Sequence, residues 1–253
     1  YKENIVITTR LTIIGSGTSR TMIDGRYRDT VIKVDNAGDY TTIKNLQITR
    51  SANSTSSCNA YIKAGLWLHY AEHVTVDNLY FYQTYNGLMT NYASNLKVTN
   101  SIFDKGSLSV GPYAIHLCSS YSNKDAGLIE NNEIKNYQYG LYLKNLYKGI
   151  KIYNNHIHNN TAYGIYINAV SHSTYASSAP LELVGNRLVD NNYGFYRIDT
   201  SSSYGRYVLF KDNLVKSSSS YGVHCNYYCQ DWTVENNTFE GDNDQTYGWY
   251  SYY

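Results

Sequence analysis

Proline is nearly missing from this chain of 253 residues, with 2 copies, and long apolar runs and charge are scarce too. No stretch of 18 apolar residues occurs, which excludes a helix that spans a bilayer. Lys and Arg number 21 and Asp and Glu 20, a formal net charge of +1. That balance supplies no field to draw in nucleic acid or an anionic membrane surface. Charged residues make up 16%, against roughly 25% in an average domain. No segment keeps a helical spacing of apolar residues, so a helix-rich fold is excluded as well. Cysteine is sparse but even, with four copies, as expected in an oxidising compartment outside the cytoplasm.

Tyrosine is what the chain has instead, in 30 copies. Many sit in one recurring phrase, "YGLYL" at Gly140 and "YGIYI" at Gly164, with relatives at Gly65, Gly87, Ala114, Gly194, Gly222 and Gly248. The steps between them run from 22 to 30 residues, one period with loop insertions. A second phrase lies half a repeat away: "IKNLQI", "VDNLYF", "VTNSIF", "IENNEI", "IYNNHI", "VGNRLV", "FKDNLV" and "VENNTF". Its aligned polar column reads Asn45, Asn78, Asn100, Asn131, Asn154, Asn186, Asp212 and Asn236. Two residues earlier stand Ile43, Val76, Val98, Ile129, Ile152, Val184, Phe210 and Val234; three later stand Ile48, Phe81, Phe103, Ile134, Ile157, Val189, Val215 and Phe239.

Within each phrase the period is two and β-branched and aromatic residues dominate, the signature of strands. Short strands repeating every 25 residues or so describe an all-β parallel coil, a β-solenoid of about nine turns. At ~4.8 Å per coil the rod is roughly 40–45 Å long. The apolar columns fill its middle. The Asn column is expected at an inward corner, where amides bond from coil to coil.

The spacing, the Asn column and the opening "YKENIVITTRLTIIGSGTSRTMIDG" resemble the right-handed parallel β-helix repeat family, of the pectate-lyase-like or NosD-like type. The resemblance covers the whole chain and implies one β-helix domain over 1–253, with an N-terminal cap or first coil missing. It implies a fold more than a function, since such proteins include lyases, hydrolases and non-catalytic surface proteins.

The lyases of that type hold Ca²⁺ on clustered carboxylates, and an ion of six to eight oxygen ligands needs several on adjacent coils. Here Asp77, Glu130, Glu182, Asp212 and Glu235 are spread one per coil. Hydrolases need paired carboxylates, and no Asp-Asp pair occurs. His156 and His158 form a bare His-x-His without a third ligand, a weak metal signal. No catalytic residue, metal site or cofactor is therefore assigned.

Alternation in "GLYLK" turns Leu141 and Leu143 in and Tyr142 out. The same outward position holds Trp67, Met89, His116, Tyr142, Tyr166, Tyr196, His224 and Tyr250. Such a stripe is either a ladder that stabilises the coils or a contact face, for copies of the chain or for a polysaccharide. A neighbouring column, Tyr113, Tyr139, Tyr163, Tyr193, Tyr221 and Tyr247, has no settled orientation, because the Gly after it marks a possible bend. The reading preferred on sequence is a secreted, self-assembling surface-layer, sheath or filament subunit. A carbohydrate-active or carbohydrate-binding β-helix is the alternative. Partners are then other copies of the chain or a surface polysaccharide. Asn53 and Asn159 head N-glycosylation sequons. Among the cysteines, Cys225 and Cys229 bracket a three-residue loop while Cys58 and Cys118 lie two coils apart. Their connectivity, within or between subunits, stays open.

Overall fold

The computed structural model describes residues 1–53, 63–109, 111–118, 127–145, 149–168, 180–198, 207–226, 231–241 and 247–252. Every strand pairs in parallel with its counterpart in the coil before or after it, and the 24 strands join into one continuous sheet. Asn36–Gly38, a 3₁₀ turn, is the helical element among the described residues. The sheet coils through three faces. The first carries Leu66–His69, Asn86–Asn91, Tyr113–Cys118, Tyr139–Lys144 and Tyr163–Asn168. The second carries Leu96–Thr99, Gly127–Glu130 and Ile150–Tyr153, and the third Ile102–Asp104, Glu133–Lys135 and His156–His158. This is the parallel β-helix read from the repeat.

Alternation decides what lies inside. Leu66, Leu88, Ile115, Leu141, Ile165, Phe195 and Val223 of the first face are fully buried, as are Ile43, Val76, Val98, Ile129, Ile152 and Phe210 of the second. On the third, Ile48, Phe81, Phe103, Ile134, Ile157 and Val215 complete the core. The sixth coil departs from the sequence alignment by one residue. Leu183 pairs with Ile152 and Phe210, and Leu188 pairs with Ile157 and Val215. Val184 and Val189 point outward, because a shift of one residue turns a side chain to the other side of a strand.

The same slip explains the polar corner. Asn45, Asn78, Asn100, Asn131, Asn154, Asp212 and Asn236 all have φ between 50° and 59°, and their sixth-coil equivalent is Gly185, at φ 69°. They turn the chain in the left-handed region that Asn and Gly tolerate, and all but half-buried Asn45 and Gly185 are exposed. The inward ladder is the next residue along: Asn132, Asn155, Asn186, Asn213 and Asn237. Asn155 Nδ2 donates to Ile129 O in the preceding coil and to Asn186 Oδ1 in the following one, each at 3.0 Å. Asn186 and Asn213 repeat the pattern, and Asn237 ends it by donating to Phe210 O. Of the column read from sequence, only Asn186 belongs to this ladder. A second one runs through Asn160 and Asn191, with Asn160 Nδ2 2.9 Å from Asn191 Oδ1.

The recurrent Gly has a steric cause. A Cβ on Gly164 would stand 2.6 Å from the Gly194 carbonyl oxygen and 3.0 Å from Asn191 Nδ2. At Gly164 the coils approach too closely for a Cβ to fit without a shift of backbone.

Candidate functional site

On the first face the sequence-predicted stripe is one in-register column. Trp67 pairs with Met89, Met89 with His116, His116 with Tyr142, Tyr142 with Tyr166, Tyr166 with Tyr196, Tyr196 with His224 and His224 with Tyr250. It is not exposed throughout. Met89 and His116 are each 1% exposed, Met89 packing with Ala64, Trp67 and Tyr113 and the His116 ring between Tyr113 and Tyr142. Burial pushes the His116 imidazole down to about 3, and Lys144 adds to the effect.

The column that sequence reasoning left unoriented faces the same way. Tyr139 stacks on Tyr142, Tyr163 packs against Tyr166 and Tyr193 against Tyr196, with centroids 4.8–5.4 Å apart. Alternation alone would put residues three apart on opposite sides. The glycine between them breaks it: Tyr139 and Leu141 pair with Tyr163 and Ile165, while Gly140 and Gly164 make no such pair. Two half-buried tyrosines per coil therefore share the outer surface. Down the columns the rings stack at nearly one coil spacing: 5.2 Å for Tyr139–Tyr163, 5.0 Å for Tyr163–Tyr193 and 5.3 Å for Tyr166–Tyr196.

The phenol groups are less engaged than the rings. Asn168 Nδ2 donates to Tyr142 Oη at 3.3 Å. The hydroxyls of Tyr113, Tyr139, Tyr163, Tyr166, Tyr193 and Tyr196 make no hydrogen bond to a described residue, and none of them is sealed from solvent. Burial, aided by neighbouring phenols, raises Tyr113 and Tyr163 to about 12 and lifts Tyr166 further. A phenol hydroxyl can both donate and accept a hydrogen bond.

At the N-terminal end the same face carries a polar group the sequence reading missed. Lys33 pairs with Trp67 in register and sets its ammonium 4.7 Å from the indole centroid. Asp35 accepts from Lys33 Nζ at 2.7 Å and lies 2.8 Å from His69 Nδ1. Burial alone would raise the Asp35 carboxyl, but these partners outweigh it and hold it at about 2. Lys33 and Trp67 also line a cavity of about 250 Å³ with Asn4, Ile5, Val6, Asp29 and Thr30. Lys33 and Asp35, two apart in sequence, were the available signal; the partner His69 comes from the next coil and shows only once the register is known.

Other expected residues fall elsewhere. His156 and His158 lie on the third face with rings stacked at 4.1 Å, and His158 Nε2 is 3.2 Å from Glu133. Cys118 and Cys225 are fully buried and neither is a free thiol; Cys58 and Cys229 lie outside the described residues. Asn53 and Asn159 are both exposed.

A family model described as periplasmic copper-binding protein (NosD) matches residues 13–249. The chain belongs to the NosD family. No curated protein matches its sequence. Among solved structures, the A-module of mannuronan C-5 epimerase AlgE4 from Azotobacter vinelandii is similar at a TM-score of 0.58 and 16% identity, covering 98% of this chain and 76% of that one. A GH87 α-1,3-glucanase catalytic domain in complex with tetrasaccharides gives 0.47 and 12%, over 99% and 62% of the two chains. A double mutant of the periplasmic alginate epimerase AlgG gives 0.46 and 9%, over 98% and 77%. At these identities the likeness is one of fold. The AlgE4 module is a mannuronan epimerase, and on that finding the self-assembling surface subunit expected from sequence is withdrawn.

The family description names copper, which favours converging imidazole or sulfur donors. Among the described residues no three His, Cys, Asp or Glu side chains come together to hold an ion. The described residues do not fit a copper site.

Proposed function

We propose that this NosD-family chain binds a polysaccharide laid along the first face, parallel to the helix axis. The observation that carries this is the set of six phenol hydroxyls left unused by the fold, from Tyr113 to Tyr196 in two in-register columns. Ring stacking between coils accounts for the rings but not for the hydroxyls, since phenylalanine stacks as well. Inside the core Phe81 and Phe103 do so at 4.4 Å and 7°. A glycan repeats hydroxyl groups along its length much as the coils repeat phenols, and protein–sugar hydrogen bonds need such neutral two-way groups. The family's periplasmic description agrees with an extracytoplasmic site of action, and no helix among the described residues is long and apolar enough to cross a membrane.

Binding fits better than glycosidic hydrolysis. That chemistry needs a carboxyl kept protonated as general acid beside a second carboxylate. Asp35, the carboxylate at the head of the face, is held in the opposite direction by Lys33 and His69.

The test replaces Tyr163, Tyr166, Tyr193 and Tyr196 by Phe and compares retardation by soluble polysaccharides in native affinity electrophoresis. The rings and their stacking persist, so thermal stability should change little. At about 1 kcal/mol per neutral hydrogen bond, affinity should fall on the order of a hundredfold to a thousandfold. Unchanged retardation of the four-fold variant would sink the proposal.

A further inference from the structure

The charges of this chain are not spread evenly over the rod. Along one outward column of the second face stand Lys44, Asp77, Glu130, Lys211 and Glu235. The third face carries Asp104, Glu133, Lys135 and Arg187, among them the Lys135–Glu133 pair at 2.7 Å. The first face differs. Its segments Tyr113–Cys118, Tyr139–Lys144, Tyr163–Asn168, 193–198, 221–226 and Tyr247–Tyr252 contain two charged residues, Lys144 and Arg197. Arg197 is turned inward, 2% exposed, with its guanidinium 5.6 Å from the Trp232 ring centroid. Among the described residues Lys144 is left as the single cation on the outer surface of these segments, at the edge of the tyrosine columns, and no described carboxylate pairs with it.

Burial disfavours the charged form of the two histidines on these segments. His116 is sealed among tyrosine rings, and burial lowers His224 as well. What faces a ligand is thus a half-buried, low-polarity surface whose polar atoms are neutral hydroxyls.

We infer that the ligand of the tyrosine face is a neutral polysaccharide, and that polyuronates and other polyanionic glycans are excluded from it. This rests on the glycan-binding reading and narrows it. A polyuronate lying along the columns would bring about one carboxylate to every coil. Each would lose water against aromatic surface, and after Lys144 none would meet a counter-charge among the described residues. Burying an unpaired charge is far more costly than burying a hydroxyl that finds a phenol partner. A neutral polymer of the same shape carries no such penalty. Its binding should also be insensitive to salt, because no ion pair contributes.

The experiment compares retardation of the purified chain in native gels containing mixed-linkage β-glucan, galactomannan, a soluble α-glucan, polygalacturonate or polymannuronate, at low and at high salt. Retardation by at least one neutral polymer, unchanged by salt, with none by either uronate, is the expected result. Tighter, salt-sensitive retention by a uronate would overturn the neutrality inference while leaving glycan binding in place. Retention by neither class would overturn the glycan reading itself. A Tyr196→Lys variant, checked for an unchanged melting curve, adds a positive control. It should gain salt-sensitive uronate binding and lose at least tenfold in affinity for the neutral polymer. Uronate retention by the unsubstituted chain equal to that of the variant counts against the inference.

Discussion

Asn155 Oδ1 accepts both the backbone N–H and the side-chain Nδ2 of Asn132, at 3.0 Å each, so one amide ties two coils together. Asn154, its neighbour in sequence, is exposed and serves the turn through its φ of 54°. The two positions should respond oppositely to substitution. Asn155→Ala leaves two buried donors of Asn132 and the Ile129 carbonyl short of a partner, at a cost of about 2–4 kcal/mol. Asn154→Gly keeps the left-handed turn and should stay within about 0.5 kcal/mol of the parent. Urea unfolding followed by circular dichroism separates them. Equal losses at both positions would return the ladder to the place first read from sequence.

The Gly column offers a steric test. Gly164→Ala sets a methyl 2.6 Å from the Gly194 carbonyl oxygen, and the contact is backbone, not a side chain that can swing away. Overpacking of this kind costs about 1–3 kcal/mol. Ala114 shows that one coil accepts a methyl at the equivalent position, so Ala114→Gly should change stability by less. Thermal melts of the two variants provide the comparison.

These contrasts show how far the sequence could be read. Repetition exposed the coil, the core columns and the outward stripe, because stacked coils must place like residues in register. It misplaced the amide ladder, because Asn-Asn pairs such as Asn131–Asn132 and Asn154–Asn155 put two similar residues side by side, and only φ tells which one turns. Gly185 was the missing clue: read as an Asn substitute in the turn, it would have shifted Leu183, Asn186 and Leu188 into place. The second tyrosine column was hidden for a related reason, since the alternation rule fails where Gly140 and Gly164 break the strand pattern. The Lys33–Asp35–His69 group joins two coils 34 residues apart in sequence, a distance no local pattern spans.

Asp35 yields an ionic prediction. Its folded carboxyl is held at about 2, below the unfolded value of roughly 3.9. The stabilisation it brings is therefore present above about pH 3.9 and lost as pH falls through about 2. The Lys33 and Asp35 side chains remain a quarter or so exposed, at 24% and 28%, so screening keeps the gain to about 1 kcal/mol or less. Asp35→Asn should lower the melting temperature slightly at neutral pH and not at all at the acid end. A penalty that persists at the lowest pH would mean that packing, not charge, is what the carboxylate provides.

The strongest pH dependence should come from a residue of the tyrosine face. His116 is held at about 3 by burial, whereas in the unfolded chain it titrates near 6.5. Below about pH 6.5 the unfolded chain takes up a proton that the folded chain refuses. Stability from this group is thus complete above pH 6.5 and declines as pH drops toward 3, by up to about 1.4 kcal/mol per unit. His156 and His224 are lowered too and act in the same direction. The depressed carboxylates begin to contribute only at lower pH, so the interval from about pH 6.5 to 5 belongs to the histidines. His116→Phe keeps a flat ring between Tyr113 and Tyr142 and removes the titration. Its free energy of unfolding should therefore be flatter over that interval than the parent's, as read from urea curves at several pH values. Identical slopes for the two proteins would show that His116 opens to water at little cost, and that the packing around it is looser than the stacked rings imply.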